Sequence, residues 1–508
     1  MKPLFIGGEM AGWSDLDGVR GPGPARGASL AALLRAAVPP GGRVLLAGPH
    51  DPALVGALPA ARLTLLVRGV RDAEALSALP GVTVCCGGLD KLVAEPPFDT
   101  VVALDGVARL SSMECDEFAW GEAFEMLVAA LRPGGRLLLG MPNALGVDRL
   151  VAPPTEPGDG DWAPAGEYDP TRPAGLTRAR ARLAAAGLGV DAVYAAYPSP
   201  TAPSALLGEA ILADDAVTGF VAATLGRSFA PPGVQPARVG PGPGRPRPVG
   251  WAAVLTEPGG LARQALRQGL AGALAPGWMV VARRASRDRS AGLPGAIVDG
   301  RRLDHDPVRG WVGEDGAAVP PGRTLEDLLM VAASRRELGS VRALLARWQR
   351  GMAAGVPADQ VVVTADGTFV ALAPAREPGA ALGKLAATLV RGGLADAWPA
   401  QAGAADLAVT LAAVAGAAAD ARAAGVLAVD GLVAERDRLA RALAAARAKA
   451  AWYERTLADR ESALAEARRV AELLSASWPA KAGMAFVGGV RLARRRARAV
   501  LRRVRPRV

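Results

Sequence analysis

Between residues 39 and 140, short apolar runs alternate with stretches of helical periodicity, and Gly- or Pro-containing turns punctuate them. That alternation restricts the chain to a parallel sheet covered on both faces, because each helix must carry the chain back to the starting end of the next strand. Residues 29–38 bear Leu30, Leu33 and Leu34 at helical spacing and stop at Pro39-Pro40-Gly41-Gly42. Residues 44–47, 63–67, 82–86, 100–104 and 136–140 read as strands, with helices over 53–60, 73–79 and 118–131 between them. A helix over 176–187, a sixth strand over 192–195 and a seventh over 278–282 follow. The spacing of Leu206, Ala210, Val217, Val221 and Leu225 predicts a helix over 205–225. Pro and Gly then fill more than half of residues 230–248, which read as a loop or linker.

The order runs Pro-Pro-Gly-Gly-Arg-Val-Leu-Leu-Ala-Gly-Pro-His-Asp-Pro (39–52), then Phe-Asp-Thr-Val-Val-Ala-Leu-Asp (98–105), then Leu-Arg-Pro-Gly-Gly-Arg-Leu-Leu-Leu (131–139). This resembles the Rossmann-like core of class I S-adenosylmethionine-dependent methyltransferases. The resemblance implies an α/β domain of seven strands over residues 1–285, the last strand inserted antiparallel, with S-adenosylmethionine as cofactor. In such a fold the ligand lies at the carboxyl ends of the strands. The resemblance also implies an acid and several glycines in the first loop, an acid for the ribose after the second strand, and an Asp near the adenine after the third.

This chain departs from that pattern. Leu46 stands at the place of the first acid, and Gly48 alone remains of the loop glycines, followed by His50 and Pro52. The turn after the second strand reads Val67-Arg68-Gly69, and the third strand is followed by Gly87-Gly88-Leu89-Asp90. The candidate cofactor-binding residues are therefore Gly48, Asp51, Asp90 and Asp105. Two of the acids have a plainer role open to them: Asp51 before Pro52 suits a helix cap, and Asp105 before Gly106 suits a turn, while Asp90 is displaced by two positions from the place of the adenine-binding Asp. His50 is a candidate base without a neighbour to orient it. No catalytic residue is assigned, and no metal site is expected.

A small α+β domain is expected over 286–400. It has helices over 324–335 and 340–353, then a β-hairpin about Ala365-Asp366-Gly367. Helix followed by hairpin resembles the catalytic-loop region of aminoglycoside-phosphotransferase-like kinases, although Gln360 and Ala373 stand where that family has Asn and Asp. Residues 401–428 read as an Ala-rich helical linker. From Leu432 to Leu474 a heptad pattern places Leu432, Leu439, Tyr453 and Leu474 at one seam position, and Leu443, Leu457 and Leu464 at the other. That pattern predicts a coiled coil over 429–475 and a homo-oligomer, or a long amphipathic helix folded back on the chain. The order of these parts resembles bifunctional methyltransferase–kinase proteins that terminate bacterial surface polysaccharides.

The formal net charge is +10, and the ten Lys and Arg residues after Leu473, with no acid among them, account for all of it. Residues 476–508 predict a basic amphipathic helix, with Phe486, Val490, Val500, Leu501 and Val504 on one stripe and arginines opposite. Such a helix suits an anionic membrane surface, with nucleic acid as the weaker rival partner. The absence of a signal-peptide pattern, and only three cysteines, predict a cytoplasmic protein, peripheral at the inner membrane face. Two function classes follow. One is methyl transfer to the oxygen or nitrogen of a glycan precursor or related metabolite. The other is a catalytically inactive scaffold in envelope assembly.

Overall fold

A computed structural model describes residues 2–18, 23–58, 62–94, 96–112, 114, 118–151, 169–229, 258–284, 292–375, 377–394 and 404–416, and scattered positions between 447 and 472. The expected Pro/Gly-rich loop at 230–248 and the basic tail at 476–508 lie outside these residues, as does most of the expected coiled coil. The chain divides into two units, Met1–Asp430 and Gly431–Val508.

The larger sheet of the first unit has twelve strands among the described residues: β1 (Leu4–Gly7), β2 (Arg43–Ala47), β3 (Arg62–Val67), β4 (Val82–Gly87), β5 (Phe98–Ala103), β6 (Leu131–Pro142), β7 (Leu188–Tyr197), β8 (Ala205–Gly208), β9 (Gly277–Arg284), β10 (Ala296–Val298), β11 (Arg301–Asp306) and β12 (Gly310–Gly313). They form one sheet in the order β1-β4-β3-β2-β5-β6-β9-β7-β8-β10-β11-β12. Strands β4, β3, β2, β5 and β6 are parallel, and β9 enters antiparallel between β6 and β7. The seven expected strands are thus present, with the last one inserted antiparallel. The sheet is wider than seven, however: β1 is added at one edge, and β8 with β10–β12 at the other.

Both faces are buried, which explains why these strands are apolar without alternation. Leu45, Ala47, Leu66, Val101, Ala103, Leu137 and Leu139 pack on one face, with Phe124 and Leu127 of the helix Trp120–Ala129. Val44, Leu46, Leu65, Val102, Leu104 and Leu138 pack on the other, with Leu30, Leu33 and Leu34 of the helix Ala28–Ala37. Gly41, at φ 78°, makes the turn into β2 that a side chain would strain.

The helix expected over 205–225 is corrected. Residues 205–208 form β8, paired with β7 and β10, and the helix Thr218–Ser228 begins ten residues after that strand ends. Ala210 lies in the short helix Glu209–Leu212, whereas the helical spacing of Leu206 was outweighed by two strands able to pair with residues 205–208 on either side. Residues 296–313, expected within the small domain, are hydrogen-bonded into the large sheet.

Residues 323–416 make a second core. Strands β13 (Arg323–Thr324), β14 (Val361–Val363) and β15 (Phe369–Ala371) form a small antiparallel sheet, with β14 and β15 flanking the expected hairpin turn. Around it pack the helices Leu325–Ser334, Leu338–Arg350, Pro378–Arg391 and Ala404–Ala415. Thr324 caps the first of these, its Oγ1 accepting from the Asp327 N–H at 3.1 Å. Leu407 and Leu411 of the last helix are buried in this core, so residues 404–415 belong to the domain's interior.

Candidate functional site

The carboxyl ends of β2, β3, β4 and β5 share one edge of the sheet, where a ligand would sit in this fold. After β2 the chain turns through Gly48, at φ 93°. A Cβ built there would lie 3.4 Å from Leu110 Cδ2, so the Leu110 side chain already covers this glycine. The Leu110 carbonyl also accepts the Leu89 N–H after β4, at 3.0 Å. His50 is buried between two backbones. Its Nδ1–H donates to Gly48 O at 2.9 Å, and its Nε2 accepts the Leu104 N–H at 3.3 Å. Burial drives its pKa down to about 4, against the pull of the Gly48 hydrogen bond, so the ring is neutral. It is a strut between the first loop and the end of β5, placed where it has no proton to exchange with a substrate.

The candidate acids are each engaged. The Asp51 carboxylate accepts from the Ala53 N–H at 2.8 Å as the cap of the helix Pro52–Gly56. Asp90 is exposed and pairs with Lys91 at 2.8 Å. Asp105 is clamped by Arg109, whose Nε donates to Oδ2 at 2.7 Å while Nη2 donates to Oδ1. Gly48, Asp51, Asp90 and Asp105 thus all follow carboxyl ends on the shared edge, with the Asp90 carboxylate taken up by Lys91.

The groups that dominate the edge come from elsewhere. Between β1 and the helix Ala28–Ala37, residues 8–18 and 23–27 lie across the strand ends as a strap. The Met10 N–H donates to Arg68 O at 2.9 Å, and the Val70 N–H donates to Met10 O at 3.2 Å. Further along, Ala25 exchanges hydrogen bonds with Pro49 O at 3.0 Å and the Asp51 N–H at 2.9 Å. The strap carries Asp15, which meets Arg68 in a bidentate pair at 2.7 and 2.8 Å. Arg109 Nη1 stands 3.9 Å from the same carboxylate, and Arg109 Nη2 donates to Gly23 O of the strap at 3.0 Å. The side chains of Arg68, Asp15, Arg109 and Asp105 are between 3% and 8% exposed. A third buried carboxyl group, Asp72, accepts the Asp15 N–H at 2.7 Å, so two guanidinium groups stand among three carboxyl groups inside the fold, each with a hydrogen-bond partner, the condition for burying them. Burial pushes the Asp15 carboxyl up, but the Arg68 hydrogen bond and charge outweigh it and hold it below its ordinary value.

Asp15, Arg109 and Leu110 were not singled out from the sequence. The available signal was Arg68 itself: a cation at a buried strand end requires a carboxylate from another segment. With the strap in this position the polar groups of the edge are satisfied by one another, and the residues present do not fit S-adenosylmethionine.

In the small domain, Gln360 donates through Nε2 to Ala223 O at 2.9 Å and accepts from Arg227 at 3.1 Å, tying the hairpin to the helix Thr218–Ser228. Asp359 is buried against Lys384 at 2.7 Å and Arg263 at 3.3 Å. Among the described residues no group of three or more His, Cys, Asp or Glu is placed to hold a metal ion. No described helix is long and apolar enough to cross a membrane.

No protein-family model matches the chain, and no curated protein matches it. Similar solved structures include the [4+2]-cyclase SpnF, at 16% identity over 51% of this chain and 80% of that one, with a TM-score of 0.26. A second is an S-adenosylmethionine-dependent methyltransferase from Geobacter sulfurreducens bound to S-adenosylhomocysteine, at 16% identity over 50% of this chain and 87% of that one, TM-score 0.24. A third is S-adenosylmethionine-bound CalS10, an amino pentose methyltransferase from Micromonospora echinaspora, at 27% identity, TM-score 0.18. The match covers 25% of this chain and 51% of CalS10. At such scores the fold class rests on the strand order described above: a mixed α/β sheet, largely parallel in its core, of Rossmann-like methyltransferase type.

Proposed function

We propose that this chain is a methyltransferase-type protein that takes S-adenosylmethionine at the carboxyl edge of β2–β5, and that it does so only when the strap has left that edge. The observation that carries this is the strand order, with β9 antiparallel between β6 and β7. The acceptor we propose is a glycan precursor or related metabolite at a membrane face, on the strength of the arginine-rich residues after Leu473. Self-association through residues 429–475 belongs to the same proposal.

A second function is favoured by Arg68 standing where an acid is expected and by Leu110 covering Gly48: a scaffold that has the fold and performs no transfer. Calorimetric titration of S-adenosylmethionine and S-adenosylhomocysteine into the full chain, and into chains with a weakened strap, separates the two. Saturable binding at submillimolar ligand by either chain supports the methyltransferase. Absence of binding by both at millimolar ligand leaves the scaffold.

A further inference from the structure

We propose that the amino-terminal edge of the large sheet, at the opposite end of the strands from the candidate site, is a contact surface for an anionic lipid bilayer. The proposal is independent of methyl transfer. Six arginines stand at this edge on four of five neighbouring strands, in the sheet order β3-β2-β5-β6-β9. Arg62 and Arg43 open β3 and β2, Arg132 and Arg136 lie in the first half of β6, and Arg283 and Arg284 end the antiparallel β9. Neighbouring strands are about 4.8 Å apart, so the row runs for about 19 Å. Arg35 adds a charge from the last turn of the helix Ala28–Ala37, which ends at the same edge.

Local partners take up only part of this charge. Among the described residues, the acids at these strand ends are Asp99 and Asp191. Asp99 accepts from the Arg132 side chain and from the Arg43 N–H, the latter at 2.7 Å. Asp191 stands 3.2 Å from Arg283 and 3.9 Å from Arg136. Two helices end at this edge with their carbonyls outward; Arg136 donates to Ala37 O of one, and Arg284 to Val128 O of the other at 3.0 Å. The two helix ends together count for about one negative charge, which leaves a surplus of about three positive charges before Arg35 is included.

The arrangement is unfavourable for the sheet by itself. Arg136 lies directly opposite Arg283 in the antiparallel register, and Arg43 lies beside Arg62 in the parallel one. Like charges so placed repel. Burial and the facing Arg283 lower the Arg136 pKa, against the pull of Asp191. An anionic surface laid against the row relieves this repulsion. Single-stranded nucleic acid also supplies anions, but its binding draws on exposed aromatic rings. The row has none among the described residues: Phe98 is buried, with the Arg43 guanidinium 5.1 Å from its ring centroid. A bilayer asks only for charge close to its surface.

The test uses the full chain, flotation with phosphatidylglycerol vesicles, and fluorescence anisotropy of a labelled DNA duplex. Arg35→Gln with Arg62→Gln, both at exposed positions, removes two charges from the edge. Arg335→Gln with Arg342→Gln, also at exposed positions, removes the same charge from the small domain. The expected result is vesicle binding weaker by about tenfold for the edge variant and by less than about twofold for the control. Arg62→Glu changes the charge by the same amount through one exposed residue, so it carries the test if the double variant fails to fold. Equal losses in edge variant and control overturn the surface and leave net charge as the cause. Unchanged affinity in the edge variants, or a wild type that does not float with the vesicles, overturns it too. A loss on the duplex with none on the vesicles assigns the edge to nucleic acid instead.

Discussion

Acid should find His50 before it finds any other part of the first loop. The ring is buried, donates to Gly48 O, accepts from the Leu104 N–H, and titrates near 4 rather than at its ordinary 6.5. The unfolded chain therefore binds a proton near the ordinary value while the folded chain declines it until near 4. Its contribution is complete above the unfolded value and is lost as pH falls through that window. Integrated from about pH 7 to about pH 5, the loss is about 2 kcal/mol. The comparison is His50→Gln, which keeps an acceptor near the Leu104 N–H but has no proton to take up. Urea unfolding followed by tryptophan fluorescence, at half-unit pH intervals, should show the wild type losing that much more stability than the variant. Parallel profiles would refute the assignment, because they would mean that His50 is already protonated or open to water in the folded chain.

Three other outcomes follow from the packing. Trp348 is fully buried and its indole N–H reaches Ala353 O at 2.9 Å and Val356 O at 3.2 Å, so Trp348→Ala should cost about 3–5 kcal/mol in urea unfolding; a cost under about 1 kcal/mol would contradict that burial. Asp359→Ala leaves Arg263 beside Glu326 without its second carboxylate and should cost about 3 kcal/mol by thermal melting, an unchanged melt counting against the buried pairing. Leu457 and Leu464 are exposed on helical positions at heptad spacing, and replacing both by Asp in the full chain should abolish the self-association proposed above in analytical ultracentrifugation; a wild-type chain that sediments as a monomer, or an association constant that does not move, would refute it.

The central strands were legible because a sheet buried on both faces demands continuous apolar runs, and Val44–Ala47, Leu63–Val67 and Thr100–Ala103 are such runs, punctuated by Gly and Pro. Helix spacing and turn chemistry are local too, which is why Leu30, Leu33 and Leu34, or the Ala365-Asp366-Gly367 turn, needed no partner to be read. The departures at Leu46, Arg68 and the missing glycines were equally plain. What they amounted to was not. Strand β8 became a strand because β7 and β10 flank it, and residues 296–313 joined the large sheet through pairings made far along the chain. Arg68 and Asp15 are separated by 53 residues, and Leu110 lies 62 positions beyond the glycine it covers. Nothing in the local pattern of either segment encodes that meeting. A buried cation announces that it needs an anion, but which carboxylate answers is set by the path of the strap across the strand ends, and that path exists only once the sheet has formed.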